Sequence, residues 1–338
     1  MNSKVRLAVG KINPEILGKF IARYTHRNHR IVIGPGVGED ATIIDMGKTL
    51  LVAKTDPITH VTDEIGHYAV NVNANDIGAM GGKPRWFLAT ILMPLGCDSG
   101  DVESVFSGIS RACQELGVSY CGGHTEMTSS VNTPVVIGQM LGEVTKDRLK
   151  PSSAAQENDH ILMTKRAAIE GTAILAREKA TDISGLLPSS VISRAQNYLH
   201  DPGLSIVKEA AIASGFSEVH ALHDPTEGGI ATGLHEMATA SDLGVEVYHE
   251  KIPVSQETLD LCRHFHVDPL GIFASGSLLI SVLPTGSEEL MSSLTREGIP
   301  SSRIGRMVSR EKGRALIKDG KKIVLPVYHQ DELSRILG

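Results

Sequence analysis

Residues 72–84 read VNANDIGAMGGKP and decide the fold of the N-terminal half. They close a helical pattern whose buried stripe is predicted to consist of Ile65, Ala69, Val72, Asp76 and Met80. The glycine pair at 81–82, followed by a proline, predicts the end of this helix. A carboxylate on the stripe is costly unless it is paired, hydrogen-bonded or bound to a metal. A buried ion pair and a metal or polar-ligand role are therefore both open for Asp76.

The segments around this helix read as strands that end in turns. ATIID (41–45) and TLLVAKTD (49–56) each end at an aspartate, and WFLATILMP (86–94) is a buried strand by its length and apolarity. A second helix is expected over 102–116. SYCGGHTE (119–126) reads as a strand that runs into a loop, and TPVVIGQMLGEV (133–144) as a further strand.

A polar stretch, KPSSAAQENDH (150–160), has the composition of a linker. We therefore predict a mobile N-terminal segment over 1–30, an N-terminal domain over 31–152 and a C-terminal domain over 153–338. The second half again alternates strands and helices, with a long helical stretch near 190–214 and a hairpin that turns at Asp319-Gly320. The pattern supports an α/β or α+β fold and does not decide between them.

Composition excludes several classes of function. The net charge of −6 and the 4% of aromatic residues argue against a nucleic-acid partner. No apolar run reaches the roughly 18 residues of a membrane span, so no membrane partner is expected. The four cysteines form no CxxC pair, which favours reduced thiols and a cytoplasmic location over zinc or disulfides.

Acidic residues recur where the predicted elements end in glycine-rich turns. They are Asp40 in GPGVGED, Asp56, Asp76, Glu126 in CGGHTE and Asp224 in HDPTEGG. Mg²⁺ prefers oxygen ligands and is commonly shared with nucleotide phosphates, so the set suits a metal-bound triphosphate. The helix that follows PTEGG could point its start toward a phosphate, although an ordinary strand–turn–helix connection is equally open. GxxxxGK[ST] is missing, which excludes a P-loop NTPase.

Taken in order, GEDA, TDP, VNANDIGAMGGKP, GGHTE and HDPTEGGI resemble the superfamily of aminoimidazole ribonucleotide (AIR) synthetase, formylglycinamidine synthetase, selenophosphate synthetase, thiamine-monophosphate kinase and HypE. LMTKRAAIEGTAILA (162–176) and DPLGIFASGSLLISV (268–282) look closest to HypE. The resemblance covers about residues 30–310. It implies a two-domain PurM-like α/β (α+β) fold, a homodimer whose N-terminal sheets pair across the interface, and ATP near that interface.

The resemblance also implies roles for individual residues. The ligands of Mg²⁺ would be Asp40, Asp56, Asp76 and Asp224. ATP would contact Lys11, Asp56, Asn73, Gly122, Gly123 and Thr125, with the glycines in the loop nearest the nucleotide. Glu126 or His124 would act as the catalytic base, although a histidine without a catalytic role is equally open at position 124.

The activity implied is an ATP- and Mg²⁺-dependent, HypE-like activation of a substrate oxygen by phosphoryl transfer, in hydrogenase maturation. The substrate would be a small molecule or a carbamoyl-type group, and another maturation protein would be a partner. Two features depart from HypE. The chain as given ends ELSRILG without the terminal cysteine, and Ala274-Ser275-Gly276 stands where HypE carries Asn-Glu-Gly. We therefore do not expect this chain by itself to carry out carbamoyl dehydration, which needs a thiol acceptor. The alternatives are a kinase of the thiamine-monophosphate type and a non-catalytic nucleotide-binding scaffold.

Overall fold

The computed structural model describes residues 10–26, 28–59, 61 and 63–337. Its N-terminal half contains a six-stranded sheet in the order β1-β2-β3-β6-β4-β5, called the first sheet below. The strands are β1 Ile31–Ile33, β2 Thr42–Asp45, β3 Leu50–Ile58, β4 Lys83–Pro94, β5 Ser119–Thr128 and β6 Val135–Val144. The helices are α1 Pro14–Tyr24, α2 Ile65–Ala79 and α3 Ser99–Leu116.

The C-terminal half is built on a seven-stranded sheet in the order β13-β12-β9-β11-β7-β10-β8. Its strands are β7 His160–Thr164, β8 Val219–His223, β9 Gly244–Tyr248, β10 Leu279–Val282, β11 Ser301–Val308, β12 Arg314–Lys318 and β13 Lys321–Val324. Its helices are α4 Ile169–Glu178, α5 Ala180–Ile183, α6 Ser189–Gln196, α7 Val207–Ala213, α8 Gly229–Ala240, α9 Gln256–Phe265, α10 Pro284–Arg296 and α11 Ser334–Leu337. Both sheets mix parallel and antiparallel pairs, so the fold is a mixed α/β fold.

Helix α2 is buried on all sides. The sequence pattern predicted only one buried stripe along it. All fifteen of its residues are buried, because the helix lies between the first sheet, α3 and α7. Asn75 joins it to the C-terminal half: its amide donates to the Leu204 carbonyl at 2.8 Å and accepts from the Ile206 N–H at 2.9 Å. Polar side chains of α2 are therefore held at the junction between the two halves.

Two predicted elements differ from the structure. The long helix near 190–214 is broken into α6 and α7, and the break contains Pro202, which has no N–H to continue a helical ladder. The GGHTE segment is not a loop. It belongs to β5, which pairs in parallel with β4 as far as Thr128. In the described ranges, none of the helices is both long enough and apolar enough to span a bilayer.

Candidate functional site

Two of the predicted site acids, Asp56 and Asp76, form ion pairs with one lysine, Lys54, at the junction of the two halves. Lys54 and Asp56 alternate along β3 and therefore share the face that α2 covers. The ammonium of Lys54 lies 3.3 Å from Asp56 Oδ2 and 3.1 Å from Asp76 Oδ1 on α2. Burial lowers the pKa of Lys54, but Asp76 and Asp56 outweigh this effect and raise it above its ordinary value.

Asp76 remains incompletely neutralised in spite of this ion pair. Its Oδ2 atom is buried without a hydrogen-bond partner. Burial raises the pKa of its carboxyl well above the ordinary value, and Lys54 offsets only part of this rise. Both interpretations of Asp76 therefore have a basis in the structure: one oxygen forms a buried ion pair, and the other is free to accept a ligand.

Asn73 lies behind Asp56 and fixes its backbone. Its Oδ1 accepts the Asp56 N–H at 2.9 Å, while its Nδ2 donates to the carbonyls of Asp56 at 3.3 Å and Ala69 at 2.9 Å. A Cβ at Gly138 on the neighbouring strand would approach Asn73 Nδ2 to 2.3 Å, so a glycine is needed there. With both ends of its amide engaged, Asn73 orients Asp56.

The C-terminal half contributes a second charged group. His223, the last residue of β8, places Nδ1 3.2 Å from Asp40 Oδ1 and Nε2 3.2 Å from Glu236 Oε2 on α8. Burial lowers the pKa of His223, but the two carboxylates reverse this effect and raise the pKa to about 10. Ser152 Oγ lies 3.0 Å from the same Nδ1. An imidazolium thus links Asp40 of the first half to the second.

Asp224, the next residue along the chain, has no such partner. Both of its carboxylate oxygens are buried without a hydrogen bond. Burial raises the pKa of Asp224 well above its ordinary value, and the charges of Asp76 and Asp40 raise it further. Asp76 and Asp40 therefore lie close enough to Asp224 for their charges to repel it.

Lys11 lies over the same site. Its backbone N–H donates to Glu227 Oε1 at 3.1 Å, and its ammonium lies 3.3 Å from Thr226 Oγ1 and 3.4 Å from Glu236 Oε1. Burial lowers the pKa of Lys11. The nearby charge of Glu236 is the largest of the effects that raise it, and the net result is a pKa above the ordinary value. Lys11 in the N-terminal segment thus packs on the HDPTEGG turn.

The residues predicted on GGHTE lie apart from these acids. Gly122, Gly123, His124, Thr125 and Glu126 are exposed on β5, which forms the edge of the first sheet. His124 Nε2 lies 3.1 Å from Glu126 Oε2. Asp56, Gly138, Ala89 and Gly123 are in register across the sheet, so Gly123 lies three strand spacings, about 14 Å, from Asp56. A nucleotide that contacts both the acids around Asp56 and the GGHTE residues would have to extend across the sheet, with one end at each.

Sequence reasoning missed several members of the site. Lys54 could have been found from its position two residues before Asp56 on the same strand face. His223 immediately precedes Asp224, but only its contacts in the fold distinguish it from other histidines near the motifs. Glu236 had no sequence signal, because its role depends on how α8 packs against β8.

The donor set fits Mg²⁺ that is shared with a ligand. Over the residues that the structure describes, no three Asp, Glu, His or Cys side chains converge closely enough to hold a metal by themselves. Mg²⁺ is usually held by one or two carboxylates together with water and substrate phosphates. The partnerless oxygens of Asp76 and Asp224 are donors of this kind.

Fold and site together define a two-domain α/β protein with an acidic site at the domain junction. The chain belongs to the AIR synthase related family: residues 38–144 match its N-terminal domain and residues 156–318 its C-terminal domain.

Three curated relatives are similar over most of their length. A hydrogenase expression/formation protein of Methanocaldococcus jannaschii is 26% identical, with 90% of each chain covered. The carbamoyl dehydratase HypE of Rhizobium leguminosarum bv. viciae is 25% identical, with 80% of this chain and 77% of the relative covered. The selenide, water dikinase of Yersinia pseudotuberculosis is 26% identical, with 91% and 94% covered. A dehydratase and a dikinase are enzymes, which agrees with the expectation that this chain is one.

Solved structures confirm the predicted PurM-like fold. A HypE–HypF complex matches with a TM-score of 0.77 at 19% identity, covering 94% of this chain and 100% of the other. HypE in complex with ATP matches with a TM-score of 0.72 at 22% identity, covering 93% and 91%. AaThiL complexed with AMPPCP and TMP matches with a TM-score of 0.71 at 19% identity, covering 91% and 93%.

Proposed function

We propose that this chain binds ATP with Mg²⁺ at the domain junction and transfers its γ-phosphoryl group to an oxygen of a second substrate. The observation that supports this most directly is the pair of incompletely neutralised carboxylates, Asp76 and Asp224. The ammonium of Lys54 contacts Asp76, and the charge of Asp56 acts on the ammonium of Lys11. Buried carboxylates without partners are costly in an isolated protein. Cations that accompany a triphosphate would remove this cost.

Each residue then has a definite task. Asp40, Asp56, Asp76 and Asp224 would hold Mg²⁺, which when bound neutralises charge on the phosphates. Lys11 and Lys54 would contribute positive charge, and Asn73 would keep Asp56 in position. The nucleotide would extend along the first sheet toward Gly122, Gly123 and Thr125 on β5. Glu126 and His124, the candidate catalytic groups, would then lie at the end of the nucleotide away from the acids, where they could contact the nucleotide but not a phosphoryl group held by Mg²⁺.

The biological context that the relatives favour is hydrogenase maturation. One relative is named for hydrogenase expression and formation, another is a carbamoyl dehydratase HypE, and a solved structure contains HypE with HypF. We propose a HypE-like role in the cytoplasm with a carbamoyl-type or other small-molecule substrate and a maturation-protein partner. We place the domain boundary at residue 153, with domains 31–152 and 153–338 after the segment 1–30.

A homodimer is part of the proposal. One face of the first sheet is covered by α2, whereas the other carries the partly exposed side chains of Leu88, Leu92, Ile137 and Leu141. Pairing such faces from two copies would remove apolar surface from water. Light scattering after size exclusion tests this expectation: a mass of one chain at micromolar concentration would contradict it.

Thermal unfolding with ATP, ADP and Mg²⁺ tests the nucleotide site. A ligand that binds only the native state raises the midpoint by mass action. We expect a Mg²⁺-dependent rise with ATP that Asp76→Asn abolishes and that Glu103→Gln, an exposed acid on α3, retains. No rise in the folded parent protein would reject the nucleotide site. A rise without ADP release on any amide, alcohol or thiamine monophosphate would instead favour the non-catalytic scaffold, and ADP release with thiamine monophosphate alone would favour the kinase.

A further inference from the structure

A cleft of about 630 Å³ lies between the two halves, and none of the proposed Mg²⁺ ligands lines it. Its volume is typical of sites that bind small molecules. The first half contributes the Gly81-Gly82 turn after α2 and the start of β4, and the second half contributes α7. Thr49 on its rim immediately precedes β3, and Asp56 lies near the far end of this strand, about 23 Å away. The cleft is therefore separate from the proposed nucleotide site.

The charge of this cleft is opposite in sign to that of the whole chain. The chain carries a net charge of −6. The cleft is lined by four basic and two acidic side chains, which are Lys83, Arg85, Arg148, Lys208, Glu115 and Glu143. An excess of positive charge in a concave site favours an anionic ligand. The cleft is thus suited to a ligand that carries about two negative charges.

Two of the four cations have donors available for such a ligand. The ammonium of Lys83 is exposed and has no hydrogen-bonding or ion-pair partner among the described residues. The guanidinium of Arg148 donates to the Ala211 carbonyl at 3.3 Å through Nη1, which uses one of its five N–H donors. The other two basic residues already pair with glutamates. Lys83 and Arg148 are therefore the groups that would contact an anion.

Close backbone contacts place these two cations on one cavity. Gly81 has a φ of +76°, and a Cβ there would approach the Arg148 carbonyl oxygen to 1.9 Å. Next to this contact, the Lys150 N–H donates to the Met80 carbonyl at 3.3 Å. The segment that carries Arg148 is thus held against the turn that leads to Lys83. Because the backbone is already fixed, little ordering would be needed when a ligand binds.

Apolar side chains form another part of the wall. They are Leu116 at the end of α3, Val144 at the end of β6, and Val207 and Ala211 on α7. An apolar part of a ligand would remove this surface from water. A phosphate monoester carries about −1.5 to −2 charges at pH 7 and three acceptor oxygens, whereas a carboxylate carries a single charge. The cleft therefore fits an organic phosphate better than a carboxylate.

We propose that this cleft binds a phosphate monoester of a small organic molecule. Lys83 and Arg148 contact the phosphate through charge-assisted hydrogen bonds, and the apolar wall contacts the organic part. The site is additional to the nucleotide site and does not depend on the proposed phosphoryl transfer. Because both halves line the cleft, the bound ligand also contacts both of them.

The test is a calorimetric titration with phenyl phosphate at pH 7.5 without Mg²⁺. We expect phenyl phosphate to bind more tightly than benzoate, which has less charge, and more tightly than inorganic phosphate, which has no apolar part. Lys83→Gln and Arg148→Gln should each weaken binding of phenyl phosphate by about 5–10-fold, because each removes a hydrogen bond between charged groups. Lys146→Gln is the matched control, since this exposed lysine does not line the cleft, and it should bind like the parent protein.

The same titration with excess ATP and Mg²⁺ separates the cleft from the nucleotide site. Binding of phenyl phosphate that persists under these conditions, and in Asp76→Asn, supports the separate site. Displacement by ATP, equal binding of benzoate, or unchanged affinity in both Lys83→Gln and Arg148→Gln would each overturn it. No binding of phenyl phosphate at millimolar concentration would overturn it as well. Circular dichroism of every variant verifies that a loss of affinity occurs in folded protein.

Discussion

Replacing Asp224 by asparagine should raise the free energy of unfolding without ligand and reduce the further gain that ATP and Mg²⁺ provide. Both carboxylate oxygens of Asp224 are buried without hydrogen bonds, and Asp76 and Asp40 add repulsion. An amide of the same shape carries no net charge. Because an unsatisfied buried group costs about 1–3 kcal/mol, and more when it is charged, we expect Asp224→Asn to raise the free energy of unfolding by at least about 1 kcal/mol at pH 8 without ligand.

The same substitution should weaken the response to nucleotide. If ATP and Mg²⁺ are present at 100 times their dissociation constant, the parent protein gains about 2.7 kcal/mol. Loss of a metal ligand should remove most of this gain, because Mg²⁺ is held by few carboxylates in such sites. Urea unfolding with and without Mg²⁺ and ATP measures both effects. Asp182→Asn, an exposed aspartate on α5, is the matched control.

The measurements without ligand and with ATP test two different properties of Asp224. A less stable Asp224→Asn protein without ligand would mean that the carboxylate has a structural partner, and the view of Asp224 as an unneutralised ligand group would be wrong. A more stable variant with an undiminished ATP response would show that the charge is costly but lies outside the nucleotide site.

Three further changes follow from the geometry. Gly138→Ala should destabilise the protein by about 1–3 kcal/mol and weaken the ATP-dependent thermal rise, because the new Cβ would lie 2.3 Å from the Asn73 amide that positions Asp56; an unaffected ATP response would separate Asn73 from the site. His223 has its pKa raised to about 10, so its contribution is complete below pH 6.5 and is lost as the pH rises from 6.5 to 10; denaturant unfolding across this window should show a loss of up to about 5 kcal/mol that His223→Gln lacks. Glu170 has its pKa raised from 4.5 to about 7, so the native state binds its proton more tightly and stability falls as the pH rises between those values; Glu170→Gln should be more stable at pH 8 by up to about 3 kcal/mol, and equal stability would indicate that the carboxyl is solvated.

The sequence predicted the α2 helix and most strands, because these depend on local patterns, and helical spacing placed Asp76 on a buried helix. The acids as a metal site were implied by the resemblance and stay a prediction. The expected end of a strand at Asp56 was wrong, because β3 stays paired with β6 as far as Ile58. Glu236 could not be found in this way, because its contact with His223 results from the packing of α8 against β8.

The prediction for GGHTE shows a different limit. Glycines next to a histidine indicate a loop by composition. In the fold, however, the backbone of β4 pairs with this segment and makes it a strand. A Cβ at Gly123 would lie 1.9 Å from the Ala89 carbonyl oxygen, so this glycine allows β5 to approach β4 closely. Glycine was therefore required for strand packing as well as for any ligand, and sequence alone could not separate the two reasons.

The organisation of the junction suggests that its closure does not depend on ligand. Asn75 joins α2 to the C-terminal half through two neutral hydrogen bonds, and the imidazolium of His223 bridges Asp40 and Glu236. These contacts hold the halves together against the repulsion among Asp40, Asp76 and Asp224. Because the fold already opposes this repulsion, the carboxylates are oriented before cations and phosphates arrive, and little reorganisation is needed when they bind. The repulsion among these fixed carboxylates thus lowers the stability of the ligand-free site and also favours the binding of cations.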